Sequence, residues 1–211
     1  MKDSITELPL RLSTPDDSDE LARAEVYGLL AQLFYAAPDP ALYEQLRVAP
    51  TEAPAQGGLL EASWMELVAA SRRRSRDEAA AEYDALFGGI GRPDVFLYGS
   101  HHIAGALSEK PLVALRDSLR TLGLARAQGV NETEDHIAYL CEVMRYLIAG
   151  DDVGVSNLAS QQRFFNEHLR GWTDAMLDQI AAHPAADFYR ALAAFAKDFL
   201  AVEGQGFDML E

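Results

Sequence analysis

From Asn131 to Ala149 the chain reads Asn-Glu-Thr-Glu-Asp-His-Ile-Ala-Tyr-Leu-Cys-Glu-Val-Met-Arg-Tyr-Leu-Ile-Ala. Its apolar Ile137, Leu140, Cys141, Met144, Leu147 and Ile148 recur at three and four, the spacing of one face of an α-helix. Asn131 as a cap, Glu134 three residues later and the crowd of acids predict a helix that begins there. Asp135 and His136 would then sit in its first turn, where polar side chains can face a groove.

The same periodicity organises the rest of the chain. Ser18 is expected to open a helix with Leu21, Val26, Leu29, Leu30, Leu33 and Phe34 inward, ended by Pro38 and Pro40. A short helix over 41–48 and a Pro/Gly-rich surface loop over 49–58 follow. Leu60, Trp64, Leu67 and Val68 mark a further helix, and Ala79, Ala80, Tyr83, Leu86 and Phe87 another, which runs from Asp77 to Phe87. The stretch Gly88-Gly89-Ile90-Gly91-Arg92-Pro93 stops it and starts a long segment without helical spacing, of the kind that often carries function. Helix resumes at Pro111, with Leu112, Leu115, Leu119 and Leu122 inward and Gly123 as the stop. After the turn at Gly150, residues 155–169 read as helix, and Phe165, Leu169, Trp172, Met176 and Ile180 carry the stripe past a break near Gly171. Beyond Pro184, Phe188, Leu192, Phe195 and Phe199 form the last helix. Only Val95–Tyr98 alternates with period two. The pattern predicts an all-α, single-domain helical bundle of about eight to ten helices over 18–203, with a loose arm at 1–17 and a frayed tail at 204–211.

Composition narrows what such a bundle can do. Of 211 residues 49% are hydrophobic, enough for a sizeable core, yet no run approaches the roughly 20 apolar residues of a membrane span. The N-terminal residues lack the basic and apolar regions of a signal peptide, so a cytoplasmic protein without stable membrane insertion is expected. The single Cys141 falls on the apolar helix face and is expected to be a buried thiol. A formal charge of −15 argues against nucleic acid as a partner and fits a basic one, whose approach it would accelerate.

Candidate chemistry is sparse. Arg72, Arg73, Arg74 and Arg76 form the one dense basic cluster, followed by Asp77, Glu78, Glu82 and Asp84. They are expected on a solvated face in pairs at helical spacing, with a phosphate or nucleotide site as the alternative. No phosphate loop is present, since Gly88-Gly89-Ile90-Gly91 lacks the lysine and the length, and neither a Gly-x-Ser-x-Gly elbow nor a His-Glu-x-x-His occurs. Adjacent His101 and His102 are poorly placed to chelate one metal, and His168 and His183 read as surface or helix-end residues. Asp135 and His136 would point about 100° apart on a helix and cannot form a dyad with each other. No catalytic residue, metal or cofactor is expected from this pattern. A small-molecule or metal enzyme using His101, His102 and His136 stays open as an alternative.

Two stretches carry a family resemblance. Glu82-Tyr-Asp-Ala-Leu-Phe-Gly-Gly-Ile-Gly-Arg-Pro followed by Tyr98-Gly-Ser, and Gly123-Leu124 followed by Glu132-Thr-Glu-Asp-His-Ile-Ala, resemble the signature segments of the TorD/DmsD-type chaperones that mature molybdenum-containing redox enzymes. Phe164-Phe165-x-x-His168-Leu169-x-x-Trp172 and Phe188-Tyr189-x-x-Leu192-Ala193 agree, so the resemblance covers about residues 20–200. Ile90 and Thr133 stand where the family usually has proline, and Tyr83 where some members have tryptophan. The resemblance implies an all-helical, non-catalytic cytoplasmic chaperone that binds the twin-arginine leader, and often the body, of a molybdopterin-enzyme precursor until the cofactor is loaded. Leader-binding positions map to Tyr83, Leu86, Phe87, Glu134, Asp135 and His136, with Gly89, Gly91, Pro93 and Tyr98 as loop candidates. Apolar side chains would receive the leader's hydrophobic segment and carboxylates its arginines. A version of this role regulated by guanine nucleotide, bound by the loop and Arg72–Arg76, is the alternative that the same resemblance suggests. Bundles of this kind can exchange elements between protomers, so monomer and homodimer both stay open.

Overall fold

The aromatic side chains of the last helix meet, one after another, those of four other helices. In the computed structural model of the chain, which describes residues 15–51, 58–88, 92–105, 109–126 and 132–210, the order is α1 (Pro15–Tyr35), α2 (Pro40–Val48), α3 (Glu61–Arg73), α4 (Arg76–Phe87), α5 (Gly99–Ala104), α6 (Glu109–Thr121), α7 (Ile137–Ala149), α8 (Leu158–His168), α9 (Thr173–Ala182) and α10 (Phe188–Asp208). On α10, Phe188 packs on Tyr43 of α2 with ring centres 5.5 Å apart, Phe195 on Trp64 of α3 at 5.3 Å, Phe199 on Tyr27 of α1 at 4.9 Å and Phe207 on Phe165 of α8 at 5.2 Å. All four phenylalanines are buried, each contributing about 2–3 kcal/mol by leaving water. α9, α3 and α4 also pack on α10, while α7 lies along α1 and touches α8. The expected all-α single-domain bundle is what forms.

Several boundaries differ from the sequence expectation, each for a local reason. The tail does not fray at Gly204: α10 continues to Asp208 because Phe207, 2% exposed, anchors its end. α1 starts at Pro15 rather than Ser18, and Leu21, expected inward, is 57% exposed. Arg23 takes the inner position instead. Its Nε donates to Glu203 Oε1 at 2.7 Å and its Nη2 to Glu203 Oε2 at 2.8 Å and Gln161 Oε1 at 3.1 Å. Tyr27 Oη also donates to Glu203, at 3.1 Å, so a polar knot ties α1, α8 and α10 together. Cys141 is buried as expected, and burial pushes its thiol well above the ordinary range.

The arginine cluster is a clasp rather than a row of helical pairs. Arg73 and Arg74 both grip Asp187, at 2.8 and 2.5 Å, joining the α3–α4 corner to the start of α10. Arg72 donates to the carbonyls of Arg47 and Ala49, and Arg76 to that of Pro38. The pairing at helical spacing survives in Arg74–Glu78. Glu78 also completes a capping box with Ser75, which starts α4 one residue earlier than Asp77. All four guanidinium groups are thus engaged within the protein.

α7 begins at Ile137, not at Asn131, a position outside the described residues. Asp135 and His136 therefore precede the helix. His136 is its N-cap, with Nδ1 accepting the Ala138 N–H at 3.2 Å.

Candidate functional site

The period-two run pairs with the approach to α7. Val95 N–H donates to Leu86 O at 2.9 Å, Gly99 N–H to Asp135 O at 3.0 Å, and Ile137 N–H to Leu97 O at 2.9 Å. Tyr98 and His136 form an isolated antiparallel bridge. Val95 and Leu97 point into the core, as alternation requires. Within the expected long loop the described residues form an arm over 92–98 and then the short helix α5.

This arrangement decides what each predicted site residue can do. Leu86 is fully buried and belongs to the core. Phe87 packs edge-on against Tyr83 and Tyr189 at 5.1 and 5.3 Å. Tyr83 is half-buried, and its Oη donates to the Tyr35 carbonyl at 2.8 Å. Burial pushes its hydroxyl to about 12, with Glu132 adding to the rise. Asp135, 3% exposed, is spent on structure: Oδ2 accepts the Ser100 N–H at 2.8 Å and Oδ1 the Thr133 hydroxyl at 2.6 Å. Glu134 forms a two-pronged pair with Arg116 at 3.0 and 2.9 Å, which holds its carboxyl below the ordinary range. His136, 4% exposed, is driven down to about 4 by burial, against the pull of Glu132 and Asp135. With Nδ1 accepting the Ala138 N–H, its ring serves as the helix cap. Pro93 and Tyr98 sit on the extended arm, half-buried; Gly89 and Gly91 lie outside the described residues.

The loop histidines do not assemble a metal centre. His101 stacks on Phe96 at 3.9 Å, while His102 donates to Phe96 O at 2.7 Å and stacks on Trp172 at 5.5 Å. Among the described residues no group of three or more His, Cys, Asp or Glu is placed to hold a metal ion. His168, expected at the surface or at a helix end, is the last residue of α8, largely buried there with Nε2 2.8 Å from Ser118 Oγ.

Tyr35, Tyr139 and Glu132, missing from the predicted set, join the predicted Tyr98 and His136 in one cluster. Tyr35, 51% exposed, has its ring 6.3 Å from His136 and 5.8 Å from Tyr139. Tyr98 lies 5.0 Å from His136 on another side. Glu132 is half-buried and accepts the Tyr98 hydroxyl. From this cluster an apolar groove follows α7. One hollow of about 220 Å³ is lined by Ala31, Gln32, Tyr35, Ala138, Tyr139 and Glu142. A second, of about 290 Å³, shares Tyr139 and Glu142 and continues past Val143 and Tyr146 to Leu119 and Leu124. A signal for the groove exists in the sequence: Tyr139, Val143 and Tyr146 recur at four and three on α7, a second apolar stripe beside the buried one.

A family model described as "Nitrate reductase delta subunit" matches residues 54–178, more than half of the chain. The chain belongs to the nitrate reductase delta subunit family. This bears out the resemblance to TorD/DmsD-type chaperones read from the two motifs. Within the family, TorD chaperone proteins of several Vibrio cholerae strains are 28% identical over 194 residues, covering 84% of this chain and 88% of theirs. These relatives are named as chaperones, not enzymes. In the solved structures, a candidate redox enzyme maturation protein from Archaeoglobus fulgidus superposes with a TM-score of 0.50 over 90% of this chain and 97% of that one. At 15% identity that likeness speaks for the fold alone. The family's two signature segments, 82–100 and 132–138, are the ones that the extended arm and the α7 cap bring together here.

Proposed function

We propose that this protein is a redox-enzyme maturation chaperone that receives the twin-arginine leader of a molybdenum-containing oxidoreductase precursor in the groove along α7. It acts in the cytoplasm, where the precursor still carries its leader and awaits its cofactor. The observation that carries this reading is the partly exposed apolar stripe Tyr139–Val143–Tyr146, which lines two adjoining hollows with Tyr35 on one side and Leu119 and Leu124 on the other. A floor of this kind accepts the apolar face of a helical peptide, with aromatic residues as anchors. The net charge of −15 favours the approach of a basic leader over anionic competitors. Family membership supports the same role, and no described helix is long and apolar enough to cross a membrane.

Calorimetric titration with leaders from several molybdoenzyme precursors tests it. One leader is expected to bind with micromolar or tighter Kd, and Tyr146→Ala, at a position 38% exposed, is expected to weaken it about ten-fold without loss of fold. Absence of binding by every leader would overturn leader recognition.

A further inference from the structure

We infer that a second apolar hollow, at the end of α10, is the seat of this chain's own N-terminal segment, with Leu8, Leu10 and Leu12 as the side chains that fill it. The hollow, of about 250 Å³, has Leu59, Leu158, Met209 and Leu210 in its lining, together with Arg23 and Glu203. The Arg23–Glu203 pair is nearly enclosed, whereas Leu59 is 67% exposed, Met209 80%, Leu210 49% and Leu158 41%. Four exposed apolar side chains around one hollow form a patch, unlike apolar residues scattered singly over a surface, and such a patch marks a contact site. It shares no lining residue with the two hollows along α7.

Position, reach and sequence name the occupant. α1 runs antiparallel to α10, with Tyr27 against Phe199 and Arg23 against Glu203. Pro15, the first residue of α1, and Asp208, the last of α10, therefore lie at the same end of the bundle. Fourteen residues, outside the described ones, precede Pro15. From Pro15 to Arg23 the helix rises by about 12 Å, a distance that about four residues of extended chain can retrace. Leu12 and the residues before it thus have the length to reach the hollow. In Glu7-Leu8-Pro9-Leu10-Arg11-Leu12 the leucines alternate with Pro9 and Arg11, a spacing that an extended chain turns to one side. Pro9 also favours extended backbone at the residue before it. A tether this short supplies an effective concentration of about millimolar, so that modest apolar contacts suffice.

The test uses the full chain with paired cysteines and a short thiol-to-thiol crosslinker at dilute protein, Cys141 being buried. Leu10→Cys is combined in turn with Leu158→Cys, with Met209→Cys and, as the control, with Val48→Cys. Val48 is exposed on α2, whose Tyr43 packs on the first residue of α10, at the far end from the hollow. Intramolecular product is expected from the first two pairs at about ten-fold or more the control yield. Removing residues 1–13 should shift the methyl signals of Leu59, Leu158 and Met209 in NMR, and a peptide of residues 1–14, added at about millimolar concentration, should restore them. Leu8→Ser, Leu10→Ser and Leu12→Ser together should reproduce the shifts in the full chain. Leader affinity should stay the same in all these variants, so the inference stands or falls apart from the leader reading. Product that joins two chains and grows with concentration would put a second copy's segment in the hollow and overturn the inference. Equal yield from the Val48 pair, or methyl signals indifferent to truncation, would overturn it as well.

Discussion

Glu82 and Tyr189 lie 107 positions apart, yet the Glu82 carboxylate accepts the Tyr189 N–H at 3.2 Å. The same carboxylate accepts the N–H groups of Asp187 at 2.9 Å and Phe188 at 3.2 Å, so a side chain of α4 caps the start of α10. The local cap residue, Asp187, is turned away to Arg73 and Arg74. A buried carboxylate at a helix N-terminus satisfies three otherwise orphaned donors and faces the positive end of the dipole. Glu82→Ala is expected to lower stability by about 2–3 kcal/mol in urea unfolding, with Glu82→Gln intermediate. A loss below about 0.5 kcal/mol would show that water replaces the carboxylate at little cost.

The Arg23–Glu203 pair makes a different kind of prediction, because both partners are nearly enclosed, with side chains 13% and 5% exposed. Arg23→Met leaves Glu203 buried with Tyr27 as its one remaining donor among the described residues, and is expected to cost about 3–5 kcal/mol. Adding Glu203→Leu to it should recover much of the loss, since the uncompensated charge is the main penalty. Thermal unfolding of the single and double variants measures both terms.

Acid should unfold the protein in two windows. His136 is held at about 4 by burial, below its ordinary value near 6.5. The unfolded chain therefore binds a proton that the folded chain refuses, and stability falls as pH drops from about 6.5 to 4, by about 3 kcal/mol at most. Burial lowers His168 as well and adds to the fall. Asp187, held down at about 2 by Arg73 and Arg74, acts later: its contribution is present above about 3.8 and disappears as pH falls toward 2. His136→Asn keeps a capping side chain and should flatten the first window only, as read from unfolding curves across pH.

Much of this architecture was legible in the sequence, because helix-period stripes survive wherever the buried partner is another helix. Ile137, Leu140, Cys141, Met144, Leu147 and Ile148 are all buried, as their spacing requires. The failures have a common cause in long-range polar contacts, which leave no periodic trace. The true start of α7 depends on the arm over 92–98, whose Leu97 carbonyl takes the Ile137 N–H. The fate of Arg72, Arg73, Arg74 and Arg76 depends on Asp187 and on carbonyls remote in sequence. The site was half legible. The two motifs fall together in space, but Leu86 turned out to be core, Asp135 holds the junction, and Glu134 pairs with Arg116 of α6. Tyr35 lies far from either motif in sequence, and nothing in its own neighbourhood marks it. Tyr139 and Tyr146 were visible as a second stripe on one helix.

Gly123 ends α6 with φ +70°, in the left-handed region, and a Cβ there would meet nothing within 4 Å. Gly123→Ala should therefore cost only the backbone term, about 1 kcal/mol, with unchanged helix content by circular dichroism. A larger loss would point to a contact beyond the described residues.

The central claim is that the client segment lies along α7, and photo-crosslinking tests it most directly. Benzoylphenylalanine placed singly at Tyr35, Tyr139 and Tyr146, and at exposed Met65 on α3 as a control, would be irradiated with a leader peptide bound. The account predicts adducts from the three tyrosine positions and none from Met65. Adducts confined to Met65, or equal labelling from all four positions, would contradict it.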